Sequence, residues 1–247
     1  MVTFSALDIL RMWESSQPQH PLDRALTMLG CACPELDKKT LSSLTIGQRD
    51  SLLFELRALI FGEIFNVFTG CPQCNENLEF SLSSTDFRSL ACSHSSDCIH
   101  KLDDGEVGSQ IFFRLPDSSD LAVAIVSATP EEARSMLLQR CVIEASLSGN
   151  IVAAQSLPPD MIDRLAERMG ECEPIADILL SLDCPACSYR WQQPFDIGSF
   201  FWTEITVQAK RLMREAHTLA REYGWCEADI LAMSSARRNY YLGLVSG

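Results

Sequence analysis

Two cysteine pairs are the residues in this sequence with the clearest chemistry. Each pair has the form C-P-x-C, and the pairs are Cys71 with Cys74 and Cys184 with Cys187. A spacing of two residues lets both thiolates of a pair bind one metal ion, and the proline after the first cysteine restricts the turn between them. Four thiolates complete the tetrahedral shell of a structural zinc ion. We therefore predict one structural Zn²⁺ held by these four residues.

The long separation of the two pairs leaves other interpretations open. Between Cys74 and Cys184 lie 109 residues, whereas zinc ribbons usually separate their pairs by about 15–20 residues. We interpret the intervening segment as an insertion whose two ends return to the metal. Two independent redox motifs are an alternative, although neither pair stands in a βαβ unit, where a redox C-x-x-C is usually found. Reduced thiols without a metal are a third interpretation.

A second group of metal-binding residue types lies in a serine-rich stretch. Cys92, His94, Cys98 and His100 form a C-x-H-x₃-C-x-H run that could ligate a second metal, but a polar loop favours ordinary surface residues. The other five cysteines show no ligand spacing apart from one C-x-C, and we predict that they are buried or incidental thiols. They are Cys31, Cys33, Cys141, Cys172 and Cys226.

Catalytic motifs are not found in the sequence. It has no G-x-S-x-G, no Walker loop, no H-E-x-x-H and no G-x-G-x-x-G. His217 is interpreted as a helix-face residue and His20 as a turn residue before a proline. Because a zinc ion with four thiolate ligands has no open position for water, we predict that the protein is not an enzyme.

Composition and charge restrict the class of protein further. The chain has 247 residues, of which 47% are hydrophobic, and this favours a folded protein. No apolar run approaches the length of about 20 residues that crosses a bilayer, so we expect a cytoplasmic protein without membrane contact. A net charge of −13 disfavours nucleic-acid binding, because phosphates require clustered cations. The small basic groups are interpreted as solvated helix faces; they are Lys210, Arg211, Arg214, Arg237 and Arg238.

The elements before the first cysteine pair are predicted to be helices. Ser5 and Asp8 form a capping-box pattern, and Pro21 suits the first turn of a second helix. Thr45 and Gln48 form another capping box, which begins a longer amphipathic helix that we expect to end near Phe65.

Strands and helices are both predicted between the cysteine pairs. Residues 78–82 and 110–115 have the alternation of strands, and 83–108 is predicted to be a loop. The stretch 121–126 is compatible with a strand or with a helix. Thr129 is a strong N-cap. Two further helices are predicted at 159–171 and 174–182.

After the second pair, residues 189–191 have strand character and the rest is predicted to be helical. A long helix should end at Tyr223, with Gly224 in the left-handed position, and short helices should cover 227–233 and 235–244. The apolar residues of this last segment can pack internally, which we favour, or form a docking surface. They are Trp225, Ile230, Leu231, Tyr240, Tyr241, Leu242 and Leu244.

The predicted fold class is α+β, mainly α-helical. Helices surround a small zinc-ribbon-like β unit, whose two CPxC knuckles are separated by the long insertion. We expect an N-terminal helical region at 1–70, the zinc-ribbon-like unit at 71–82 plus 184–196, an insertion at 83–183 with strands then helices, and a C-terminal helical region at 197–247.

Several stretches of the chain resemble a known family. They are His20-Pro21-Leu22-Asp23-Arg24-Ala25, Ile46-Gly47-Gln48-Arg49-Asp50, Leu56-Arg57, Phe61-Gly62, Leu78-Glu79-Phe80, Phe113-Arg114-Leu115-Pro116, Arg140-Cys141-Val142, the second cysteine pair with Trp191 and Pro194-Phe195-Asp196, and residues 223–231. Together with the two knuckles they are similar to the T4-type baseplate hub assembly chaperone family of contractile phage tails and extracellular contractile injection systems. The serine-rich stretch around Cys92 departs from that family's pattern.

The resemblance implies a non-enzymatic assembly chaperone or structural component of the baseplate hub. The implied partners are baseplate hub, spike or tape-measure proteins, and the protein would act in the cytoplasm or be incorporated in the assembled particle. A zinc-ribbon nucleic-acid-binding or regulatory protein is the alternative, since C-P-x-C pairs are common in that class; the acidic charge opposes it.

Overall fold

A computed structural model describes residues 4–90, 98–103 and 109–246 of the chain. The described residues are mainly helical with small antiparallel sheets, as predicted. The helices are α1 (Ala6–Ser16), α2 (Pro21–Ala32), α3 (Lys38–Ser42), α4 (Ile46–Phe61), α5 (Ser84–Arg88), α6 (Ser118–Ala124), α7 (Pro130–Cys141), α8 (Pro159–Cys172), α9 (Ile197–Tyr223), α10 (Glu227–Ala232) and α11 (Ser235–Ser246). The strands are β1 (Ile64–Gly70), β2 (Asn77–Ser83), β3 (His100–Asp103), β4 (Gln110–Phe113), β5 (Val142–Leu147), β6 (Asn150–Val152), β7 (Ile178–Asp183) and β8 (Arg190–Phe195).

The predicted helix ends are confirmed where local side chains determine them. Ser5 with Asp8 and Thr45 with Gln48 form complete capping boxes at the starts of α1 and α4. The hydroxyl of Thr129 accepts the backbone N–H of Glu132 at the start of α7. Gly224 ends α9 with a φ of 68°, the left-handed conformation that glycine adopts without strain.

Two hairpins carry the cysteine pairs at their tips. β1 pairs with β2 and β7 pairs with β8, each as a two-stranded antiparallel sheet. A four-stranded sheet in the order β3-β4-β5-β6 lies between them in sequence. Each hairpin therefore includes a strand before its knuckle, which the predicted unit of 71–82 plus 184–196 leaves out.

The main core lies between the inner faces of the hairpins and the helices around α9. Phe65 and Val67 of β1 are buried, and Phe201 and Ile205 of α9 are fully enclosed. The rings of Phe54, Phe65, Phe87, Phe195 and Phe200 join both hairpins to α4, α5 and α9, with centroid distances of 4.6–6.5 Å. Both hairpins thus rest on one aromatic core.

A close contact at α4 positions the second hairpin. The 3₁₀ turn Pro174–Ala176 packs on the start of α4, where Gly47 leaves space: a Cβ there would lie 2.2 Å from the side chain of Glu173. The hydroxyl of Thr45 donates to the carboxylate of Glu173, which is buried. This contact fixes the segment that leads directly into β7.

Two smaller cores complete the fold. The four-stranded sheet packs on α8 through Ile111, Phe113 and Leu165. At the end of α9, Leu219 and Ile230 are buried, with Trp225 packed against them. The interpretation of the C-terminal apolar residues as internal packing is therefore confirmed for most of them, whereas Tyr240 and Leu244 are exposed.

Four local predictions around these elements were wrong or incomplete. The helix expected to reach Phe65 ends at Phe61, because Gly62 has a φ of 93° and β1 follows. The helix predicted at 174–182 is a single 3₁₀ turn followed by β7, whose apolar residues alternate. The described part of the segment 83–108, expected to be a loop, contains α5 and β3, and residues 121–124 of the ambiguous stretch 121–126 form the end of the helix α6. Strands β5 and β6 were not predicted.

Candidate metal centre

The two hairpin tips bring all four predicted cysteines together. Sγ of Cys71 lies 3.7 Å from Sγ of Cys187, and Sγ of Cys74 lies 3.6 Å from Sγ of Cys184. All four sulfurs lie within 4.8 Å of one another. The predicted return of the two chain segments to one point is therefore seen in the structure.

These distances fit a metal ion and do not fit disulfide bonds. Four sulfurs at about 2.3 Å from a tetrahedral zinc ion are about 3.8 Å from one another. A disulfide would need an S–S distance of about 2.0 Å. Both of these contacts join sulfurs of different hairpins, which lie more than 100 residues apart in the sequence. The donor set can therefore hold one metal ion at the junction of the hairpins.

The two knuckles have the same backbone conformation. The N–H of Cys71 donates to the carbonyl of Glu76 at 2.8 Å, and the N–H of Cys184 donates to the carbonyl of Tyr189 at 2.9 Å. The fourth residue after the first cysteine is left-handed in both, with φ of 60° at Asn75 and 59° at Ser188. Such a tight turn directs both thiols of a pair to the same side.

The pKa values of Cys74 and Cys184 are shifted in opposite directions by the groups around their sulfurs. The backbone N–H of Cys187 points at the sulfur of Cys184 and lowers the pKa of Cys184 to about 7, against the effect of burial. A backbone N–H of Glu76 also lowers the pKa of Cys74, but burial and the three neighbouring sulfurs outweigh it and raise that pKa to about 12. The protein alone therefore favours ionisation of Cys184 over that of Cys74, and a divalent cation would replace the remaining protons.

The arrangement suits a structural site better than a catalytic one. Cys71 and Cys184 are buried at 1% and 2% exposure, and Cys74 and Cys187 cover the outer side. With four protein ligands, a tetrahedral metal has no position for a substrate or water. Beside the centre, the hydroxyl of Thr69 donates to Oε1 of Gln193 at 2.6 Å and links the hairpins a second time.

Of the second group of possible metal ligands, the structure describes Cys98 and His100. Cys92 and His94 lie outside the described residues. Cys98 precedes β3, and Nδ1 of His100 lies 3.4 Å from Sγ of Cys172, with its ring stacked on Phe113. Among the described residues, His100 thus contacts the core of the four-stranded sheet, and the second metal site stays a prediction.

The other cysteines and histidines are mostly where the sequence indicated. Cys141 and Cys172 are buried, and burial raises the pKa of Cys141 to about 12. His20 caps α2, with Nδ1 accepting the N–H of Leu22, and His217 is exposed on α9. Cys31 and Cys226, by contrast, are exposed.

One buried charge cluster was not predicted. The carboxylate of Asp120 is fully buried and accepts from Arg114 at 2.6 and 2.9 Å and from Arg140 at 2.6 Å. Burial raises the pKa of Asp120, but these hydrogen bonds and the N–H of Asp117 outweigh it and lower the pKa to about 2. The capping pattern at Asp117 was the available signal, and the two arginines come from other elements. The cluster ties α6 to α7 and to the end of β4.

Comparison with known proteins gives one family. The family model described as T4 bacteriophage base plate protein matches residues 7–202. No curated protein and no solved structure shows a significant match to the chain. The matched residues include both hairpins, all four cysteines and the larger part of α1 to α8, and they end within the first turns of α9.

Proposed function

The chain belongs to the T4 bacteriophage base plate protein family, and we propose that it is a non-enzymatic assembly chaperone or structural component of the baseplate hub, held together by one structural zinc ion. The observation that carries this proposal is the family match, which runs through both cysteine hairpins and the core between them. The setting is a contractile phage tail or a related injection system.

Zinc is the metal that the donor set favours. Four thiolates in a tetrahedral arrangement are typical of zinc or of iron–sulfur sites, and sulfur distances near 3.7 Å suit a single ion. The metal would join the two hairpin tips, which the hydrogen bond from Thr69 to Gln193 also links. Its role would be to hold the hairpins in one orientation, as a scaffold for binding.

The charged residues favour a protein partner over a nucleic acid. Arg211 of α9 and Arg238 of α11 both pair with Glu215, at 2.8 and 3.0 Å, so two of the five basic residues seen in the sequence are held by one carboxylate. Near the metal centre, Arg190 pairs with Asp183 at 2.7 Å. No helix among the described residues is both long and apolar enough to span a membrane. We propose hub, spike or tape-measure proteins as partners, met in the cytoplasm during assembly.

Co-expression with the neighbouring baseplate proteins tests this function. A tagged chain is expected to recover a hub, spike or tape-measure subunit, and deletion of its gene should give particles that lack a complete hub. Quantitative mass spectrometry of the recovered complex and of purified particles also shows whether the protein remains in the finished particle. Complete particles formed without the protein would contradict the proposal.

A further inference from the structure

The outer edge of β1 lies in an open groove beside α9. The groove has a volume of about 610 Å³, and its walls come from β1, from the end of α4 and from one face of α9. The lining residues include Arg57 of α4, Ile64, Asn66 and Phe68 of β1, and Glu204 and Val207 of α9. We call this feature the β1–α9 groove.

Backbone groups of β1 point into this groove. The hydrogen bonds that flank the β1–β2 register join Glu63 to Ser84 and Cys71 to Glu76. Because bonding alternates along an antiparallel pair, the N–H and C=O of Phe65, Val67 and Thr69 face β2. Those of the residues between them, Asn66 and Phe68, face away from β2. Within the described part of the chain, β2 is the one strand that pairs with β1.

The side chains around this edge are apolar and exposed. Ile64 is 68% exposed, Phe68 is 70% exposed and Val207, across the groove on α9, is 61% exposed. Proteins usually protect a free edge with lysine, proline or a bulge, because an apolar edge binds other strands. β1 has none of these along its seven residues.

The charges of the groove indicate the chemistry of its occupant. Arg57 is the one cation among the lining residues, and it is buried and bonded to Glu204 at 2.7 and 2.9 Å and to the carbonyl of Ile64. Glu79 stands exposed on β2 opposite Phe68. Within the groove the charges of Arg57 and Glu204 therefore cancel, whereas the exposed Glu79 beside Phe68 and the net charge of −13 on the whole chain make the surroundings of the groove acidic. A basic occupant complements this surface.

We propose that the β1–α9 groove binds an extended segment of a partner protein, with alternating apolar and basic residues, as an added strand on β1. Backbone hydrogen bonds to Asn66 and Phe68 would hold the segment, and its apolar side chains would cover Phe68 and Val207. The inference deepens the proposed function, on which the identity of the partner as a baseplate protein rests.

A synthetic probe tests the groove directly. The probe is a fluorescein-labelled heptapeptide of alternating lysine and valine, titrated against the full chain by fluorescence polarisation. Two further peptides carry N-methyl groups, one on every valine and the other on every lysine. Because only alternate N–H groups of an added strand face β1, one methylated peptide should bind as the parent does and the other at least about tenfold more weakly.

Variants of the protein provide the matched controls. Asn66→Pro removes an N–H that faces the groove and leaves the bonds to β2, while Phe68→Lys replaces the apolar ring on this edge by a cation that repels the basic probe. Both should weaken the probe at least about tenfold with an unchanged circular dichroism spectrum. Ile151→Lys, which adds the same cation at a 79% exposed site on β6, should bind as the wild type does.

The outcomes separate this inference from the proposed function. Absent or unsaturable probe binding, equal binding by both methylated peptides, or binding of the probe to Asn66→Pro and Phe68→Lys as tight as to the wild type would overturn it. A wild-type dimer that becomes a monomer in Asn66→Pro would identify a second copy as the occupant and would also overturn it. If a baseplate subunit is recovered equally by wild type and Asn66→Pro, the groove proposal fails and the proposed function stands. Probe binding without recovery of any such subunit would support the groove proposal and contradict the proposed function.

Discussion

The two cysteine hairpins have the same tip and different edges. Both carry C-P-x-C, the same turn and a left-handed residue at the same place, Asn75 or Ser188. The second hairpin has Pro194 in β8 and an ion pair between Arg190 and Asp183 across its strands. The first hairpin exposes an apolar, uncharged edge on β1. The shared part is what a metal requires, and the different part indicates where a partner strand would bind.

The largest expected effect tests the shared part. Cys184→Ser and Cys74→Ser remove one ligand from different hairpins, and both should cause loss of the metal and unfolding of the chain. Structural zinc contributes about 10–16 kcal/mol in small zinc domains, which matches the whole stability of a typical protein of about 5–15 kcal/mol. Thermal unfolding followed by circular dichroism measures the effect. Cys226→Ser, an exposed thiol on the C-terminal segment, is the control and should unfold like the wild type.

If only one of the two serine variants lost much of its stability, the two hairpins would not contribute equally to the metal site. A Cys184→Ser protein that keeps its fold and its partner binding would show that the metal is dispensable.

The second largest expected effect is a difference in stability between substitutions on the two faces of β1. Phe65 is 3% exposed and packs on Phe54, Phe87, Phe195 and Phe200, so Phe65→Ala should cost about 3–5 kcal/mol. Phe68 is 70% exposed, and Phe68→Ala should cost less than about 0.5 kcal/mol. Urea unfolding measures both. A large loss of stability in Phe68→Ala would mean that this ring stabilises the fold, and it would contradict its assignment to a partner-binding surface.

Arginines beside the two hairpins give a third contrast. The side chain of Arg57 is 3% exposed and donates to Glu204 and to two carbonyls next to β1, so Arg57→Ala should cost about 2–4 kcal/mol. The side chain of Arg190 is 85% exposed, and Arg190→Ala should change stability by less than about 1 kcal/mol. Addition of 1 M salt should weaken the Arg190 pair further and leave the Arg57 contacts largely unchanged. Equal costs for the two variants would contradict the burial that separates them.

The smallest effect concerns the left-handed residues of the two turns. Asparagine tolerates a positive φ better than serine does, so Ser188→Gly should stabilise the second hairpin more than Asn75→Gly stabilises the first. We expect a gain of up to about 1 kcal/mol for Ser188→Gly and almost none for Asn75→Gly. A differential scanning comparison of the metal-loaded proteins resolves this difference. Destabilisation by Ser188→Gly would show that the serine side chain has a role in the knuckle.

The sequence predicted those parts of the molecule that depend on a few neighbouring residues. The C-P-x-C spacing indicated the cluster of Cys71, Cys74, Cys184 and Cys187 because two residues between thiols determine the geometry locally. The capping boxes and the left-handed Gly224 gave the helix ends for the same reason. The phenylalanines carry no comparable pairing signal, so the packing of both hairpins on one phenylalanine core could not be predicted from the sequence.

The wrong predictions have a related physical cause. Apolar residues at helical spacing continue from α4 through Ile64, although Gly62 has already ended the helix and β1 alternates between two faces. At Pro174, a good helix start is overridden because Glu173 and Ile175 pack on Gly47 of α4. The partners of Asp120 come from β4 and α7, which sequence patterns do not pair. Tertiary contacts decide all three cases.

Metal content together with X-ray absorption spectroscopy of the purified full-length protein tests the central claim most directly. The account predicts one zinc ion per chain, with four sulfur neighbours at about 2.3 Å and no nitrogen or oxygen neighbour, and predicts that Cys184→Ser abolishes this site. A protein that is folded without metal, or that holds its zinc through histidine nitrogen, would contradict it.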